Sequence, residues 1–268
     1  VIDPFWLLFA AKLALTAGIV VTASLLVERS GPMLGAMIAT LPISVGPAYV
    51  FLAMEHDAAF IAGSAVASLA VNTATAAFLT LYSLLARSRG LAFSLSLGLL
   101  GWAATVAAIS QVDWSLSGAV ALNIVVFATC LPLALWRLTT LPAVRAPGRR
   151  WDIPARAVAV TGLIAAVLVI GRALGPAAAG FAALAPVVTG SLAVLLHPRI
   201  GGPATAVVFA NALIGMVGYI PALALLHLAA PPLGSAAALG LALAACVLWN
   251  ATMLALRGRG RKAMPARP

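Results

Sequence analysis

The feature that most limits what this chain can fold into is a succession of long apolar runs that carry almost no charge. Bounded by charged residues or Gly/Pro clusters, they cover 5–27, 33–54, 58–86, 91–112, 115–136, 153–174, 177–196, 203–228 and 233–256. A run of roughly 20 apolar residues is long enough to cross a hydrocarbon core of about 30 Å. Backbone in oil must satisfy its own hydrogen bonds, so such runs are read as helices. Only 8% of the 268 residues are charged and 63% are hydrophobic, whereas a soluble domain carries roughly a quarter charged residues. These observations predict an all-α, polytopic transmembrane bundle of about nine spans, or ten. They exclude a soluble enzyme and a nucleic-acid-binding module.

The net charge of +10 fits that reading because of where the basic residues sit. Alternate loops on one side receive Arg29, Arg87, Arg89, Arg137, Arg145, Arg149, Arg150, Arg199 and the tail residues Arg257, Arg259, Arg261, Lys262 and Arg267. The other side receives Arg172 with Asp3, Glu55, Asp57 and Asp113. Cytoplasmic loops are enriched in Lys and Arg. The expectation is a multi-pass protein of the plasma membrane (the bacterial inner membrane), N-terminus outside and C-terminus cytoplasmic. Its environment is the lipid bilayer, with no nucleic-acid partner. No secretory leader is evident, since the run 5–27 is too long and has no basic flank.

Sliding the chain on itself gives ungapped coincidences of residues that are costly inside helices. Gly18 falls on Gly162, Gly31-Pro32 on Gly175-Pro176, Pro42 on Pro186, Gly46 on Gly190, Gly90 on Gly234, and Lys12 on Arg156. The shift moves each span onto the fifth after it, an odd number, so the two halves would cross in opposite senses. The expected organisation is a first repeat of five spans over 1–136, a cytoplasmic basic loop over 137–152, a second inverted repeat of four spans over 153–256, and a cytoplasmic basic tail over 257–268.

Two segments of this five-plus-four arrangement carry Pro and Gly near their middles: Pro42, Gly46 and Pro47 in the second, Pro186 and Gly190 in the seventh. Proline there removes a backbone donor and frees a carbonyl, and glycine eases unwinding. Freed backbone at that depth needs protein or a polar cavity around it, so two interrupted helices mark a candidate solute site. Thr40, Ser44, Thr189 and Ser191 would add hydroxyls. Lys12, about two turns into the first span, and Arg156 are candidate cations that would favour an anionic solute; snorkelling to the interface is the plainer account of either. Asn72, Asn123, Asn211 and Asn250 fall inside spans, where an amide needs a partner. Asn72 and Asn211 follow the interrupted segments and join the candidate site; interhelical bonding is the plainer role for each. Gly31 and Gly35, spaced by four, suit close helix approach within one chain or in a homodimer.

Cys130 and Cys246 sit in apolar runs and read as packing residues, with no metal pattern and no cofactor implied. None of the six carboxylates lies well inside a span. The zinc, nucleophile-elbow and P-loop motifs are absent, so the chain is not expected to be an enzyme.

The layout resembles inverted-repeat secondary transporters with crossing broken helices, such as the sodium–proton antiporter and bile-acid transporter folds. The likeness is architectural, and it departs from those folds in span number and in lacking acidic residues at the crossing. It implies a secondary transporter or facilitator for a small polar, preferably anionic, organic solute. The alternatives are a channel and an embedded structural or enzymatic subunit.

Overall fold

The computed structural model of the protein describes residues 4–29, 45–135 and 151–263. Every regular element among them is an α-helix. In chain order these are α1 (Pro4–Arg29), α2 (Val45–Glu55), α3 (Ala58–Leu85), α4 (Leu91–Ile109), α5 (Leu116–Leu135), α6 (Asp152–Ala183), α7 (Val187–Val217), α8 (Tyr219–Leu233) and α9 (Ser235–Ala263).

The helices join end to end in places, and this corrects the expected span count. Segments α6, α7 and α8 follow one another as one joined stretch, Asp152–Leu233, of 82 residues, bent at Gly175 and Gly201 and interrupted at Leu184–Pro186, so the described chain holds seven joined helices rather than nine or ten separate spans. Five joined helices are long and apolar enough to cross a membrane. At 11 residues, α2 is only about 16 Å long and is not one of them. The five-plus-four arrangement presupposed nine separate spans, a count that the described residues do not hold.

The physical reason lies at the glycines and prolines that had been read as span boundaries. Gly175 and Gly201 adopt φ of 84° and 80°, a region open essentially to glycine. Each redirects the chain in a single residue. Proline follows at once at Pro176, and after one more residue at Pro203, and proline is pre-organised for a first helical turn. The helix therefore restarts without a loop.

Helix α3 is the hub. It begins sharply because the carboxylate of Asp57 accepts the N–H of Phe60 at 2.8 Å, capping an otherwise unpaired donor. It packs against α4, α5, α6, α7 and α8. Alanine recurs along it, at Ala62, Ala65, Ala70, Ala74 and Ala76 among others, and small side chains allow close approach where water exclusion no longer drives association. Around its first half lie Leu52, Ile61, Leu69, Ile164 and Leu168; around its second half Phe78, Tyr82, Phe209 and Leu213 pack together. The outer helices α4, α5 and α9 leave Leu100, Val125 and Leu248 exposed. An apolar all-α bundle with such a surface is consistent with a membrane-embedded protein.

Candidate functional site

The seventh apolar segment is interrupted where its proline lies. After Gly175 a short helix runs to Ala183; Leu184 (φ −103°, ψ 14°) and Pro186 (φ −78°, ψ 38°) then leave helical geometry before α7 begins at Val187. Proline has no N–H and its ring clashes with the carbonyl four residues back, which accounts for the break. Local turns recover part of the bonding: Ala185 N–H donates to Ala182 O (3.1 Å) and Val187 N–H to Ala185 O (2.8 Å).

Two further carbonyls of this stretch are met by α3. Thr75 Oγ1 donates to Leu184 O at 2.9 Å, and Ser68 Oγ donates to Gly180 O at 2.8 Å. Tyr49 on α2 joins the chain through its hydroxyl, 2.7 Å from Ser68 Oγ. One turn either side of Ser68 stand Ser64 and Asn72, both fully buried. Residues 64, 68, 72 and 75 are spaced four, four and three apart, so they line one face of α3. The other serine and threonine hydroxyls of this helix bond back into it, as Thr80 does to Ala76 O and Ser83 to Leu79 O. The face 64–75 is a polar seam, and it meets the interrupted helix at close quarters. A Cβ on Gly180 would lie 2.3 Å from Ser64 O, so only glycine fits.

Asn72 anchors the inner end of this seam. Its Nδ2 donates to Asn123 Oδ1 on α5 at 2.9 Å and to Met216 O at 3.4 Å. Asn123 Nδ2 in turn donates to Leu69 O (2.6 Å) and Ala119 O (2.8 Å). Both amides are thereby oriented. Asn72 Oδ1 and Ser64 Oγ have no hydrogen-bond partner among the described residues.

The expected site residues divide accordingly. Asn72 lies on the seam three residues from Thr75, whose hydroxyl meets Leu184 O two residues before Pro186. Thr189 Oγ1 and Ser191 Oγ donate to the carbonyls of Pro186 (3.2 Å) and Val188 (2.7 Å), closing the first turn of α7, which Gly190 N–H also ties to Pro186 O. Asn211 lies exposed on α7, its Nδ2 on Val207 O of the same helix. Gly46 and Pro47 sit in the first turn of α2 and line an apolar cavity of about 520 Å³ between α1, α2, α8 and α9. Tyr49 is the wall between that cavity and the seam, and the cavity's apolar lining suits no polar solute. Thr40, Pro42 and Ser44 lie outside the described residues.

The two cations fall elsewhere. The Lys12 ammonium donates to Glu55 Oε1, and Arg172 Nε donates to Glu55 Oε2 at 2.8 Å. Glu55 thus ties α1, α2 and α6 together at one end of the bundle, just before α3 begins, while Asn72 lies about 20 Å further along α3. Arg156 is half-buried one turn from Asp152 on α6, and Asp152 takes a bidentate pair from Arg199 at 2.5 and 2.6 Å. Asp152 and Arg172 stand about 30 Å apart along the part of α6 that precedes the bend at Gly175, one hydrocarbon thickness. The charged groups therefore form clasps at the two ends, and the middle is neutral.

Sequence reasoning passed over Ser64, Ser68, Thr75 and Tyr49. The signal was present in the spacing of the first three with Asn72, one polar face on an otherwise apolar helix. Comparison of the chain with protein-family models, curated proteins and solved structures finds no match, so the transporter likeness carries no family assignment.

Proposed function

We propose that this protein is a membrane carrier or facilitator for a small polar solute, held where the seam of α3 meets the interruption at Leu184–Pro186. One observation carries the proposal: the most buried helix of an apolar bundle bears a continuous Ser–Ser–Asn–Thr face, and Ser68 and Thr75 of that face meet the carbonyls beside a helix break. Non-helical backbone deep in a bilayer is tolerated only against protein or a polar cavity, and discontinuous helices are where transporters bind their cargo. The reading is of a multi-pass bacterial inner-membrane protein, N-terminus outside, acting on no covalent bond. Pairing of Lys12 with Glu55 removes the main reason to favour an anion.

The test is counterflow in proteoliposomes of the full chain, scanning labelled small polar solutes against preloaded unlabelled solute. Saturable, counterflow-stimulated uptake that falls about tenfold in Thr75→Val is expected, since the Leu184 carbonyl loses its partner at a cost of roughly 1–2 kcal/mol. Non-saturable conductance would replace the carrier with a channel. Uptake equal to that of empty vesicles for every solute would end the proposal.

A further inference from the structure

We infer that the solute accepted by the seam is uncharged and donates hydrogen bonds, as an alcohol, polyol or amide does. The inference rests on the carrier reading above and adds the chemical class of the cargo. Two independent observations lead to it.

The first is the neutrality of the lining. No Asp, Glu, Lys or Arg occurs in 58–86, 116–135 or 173–198, the stretches that supply the seam and the break. The Glu55 and Asp152 ion pairs lie at opposite ends of the bundle. An ion brought into a low-dielectric interior without a counter-charge loses far more hydration energy than hydroxyls can restore. Seryl, threonyl and amide groups can replace the hydration of a neutral polar molecule.

The second is the kind of group left over. Asn72 is fully buried and its Oδ1 has no partner among the described residues. Its orientation is set by chemistry, because the opposite edge of the amide faces two acceptors, Asn123 Oδ1 and Met216 O. Only the NH₂ can meet acceptors, so the amide cannot be reversed. The leftover atom is an acceptor, and its complement is an O–H or N–H. Ser64 Oγ, equally buried and equally unpartnered among the described residues, stands on the same face about 12 Å away, with Ser68 between them. Both leftover oxygens can accept a hydrogen bond, so a donor-bearing solute is the complement of each.

Purified full-length protein in liposomes is assayed for uptake of labelled glycerol, urea, guanidinium and methanesulfonate at a clamped membrane potential. Urea and guanidinium have nearly the same shape and differ in charge. The inference expects glycerol and urea to enter well above the empty-liposome rate, with guanidinium and methanesulfonate at that rate. Asn72→Leu and Ser64→Ala should each lower glycerol and urea entry about five- to tenfold. Ser64→Ala removes an unpaired hydroxyl without adding volume, so it should melt at the wild-type temperature and separate loss of binding from loss of fold. Entry of guanidinium or methanesulfonate with glycerol and urea at baseline would overturn the solute class and leave the carrier standing. Unchanged glycerol and urea entry in both variants would overturn the assignment of the two orphan groups. Baseline entry of all four solutes would overturn this inference, and the solute scan above would then decide the carrier on its own.

Discussion

Helices α3 and α4 follow one another in sequence, and both are apolar and long enough to cross a bilayer. Yet 89% of the most apolar stretch of α3 is buried inside the protein, against 17% for α4. Overall apolarity does not separate them. What does is where the polar and small residues fall. On α3 they make one face turned to partners on other helices, through Ser68, Asn72 and Thr75. On α4, Thr105 bonds back to Gly101 O of its own helix at 2.7 Å, and the surface not packed on its neighbours is free to meet lipid. In water, burial is driven by apolar surface; in lipid, the groups that must leave the solvent are the polar ones.

That contrast can be broken most severely at the closest approach. Gly180→Ala should lower stability by about 3 kcal/mol through overpacking against Ser64 O and Ala67, read as a fall in the unfolding midpoint in detergent. By comparison, Gly240→Ala on α9, where an added Cβ meets nothing within 4 Å, should stabilise by about 0.5 kcal/mol. Next comes Asn123→Leu, which strips the partners of Leu69 O and of Asn72; a loss of about 2 kcal/mol is expected. Ser68→Ala leaves Tyr49 Oη and Gly180 O unpaired and should cost about 1 kcal/mol. The smallest change is Leu100→Ala on the outer face of α4, 64% exposed, expected within about 0.5 kcal/mol. Should Leu100→Ala destabilise as much as Asn123→Leu, the division into hub and lipid-facing helices would fail.

The sequence made some of this legible. Apolar runs placed α3, α4 and α5 nearly residue for residue, because charged or Gly-containing turns flank them. The break at Pro186 was readable because proline acts on its own backbone, a local effect. The continuity of Asp152–Leu233 was not, since a glycine with positive φ followed by proline looks like a loop in composition and behaves as a bend. The partnership of Lys12 with Glu55 was hidden for another reason: it joins residues 43 apart and depends on where α2 ends in space. Asn72 was singled out for being an amide in an apolar run. Its neighbours on the same face were overlooked because serine and threonine satisfy themselves against their own helix so often that only their shared spacing sets them apart.

Thiol accessibility tests most directly whether α3 is where a polar solute meets the bundle. With Cys130 and Cys246 replaced by alanine, Ser68→Cys and Leu100→Cys are compared in liposomes using a small, uncharged, hydrophilic thiol reagent such as iodoacetamide. The account predicts slow but complete labelling at Ser68→Cys, further slowed by a transported solute, and none at Leu100→Cys. Labelling at Leu100→Cys with Ser68→Cys inert, with or without solute, would contradict it.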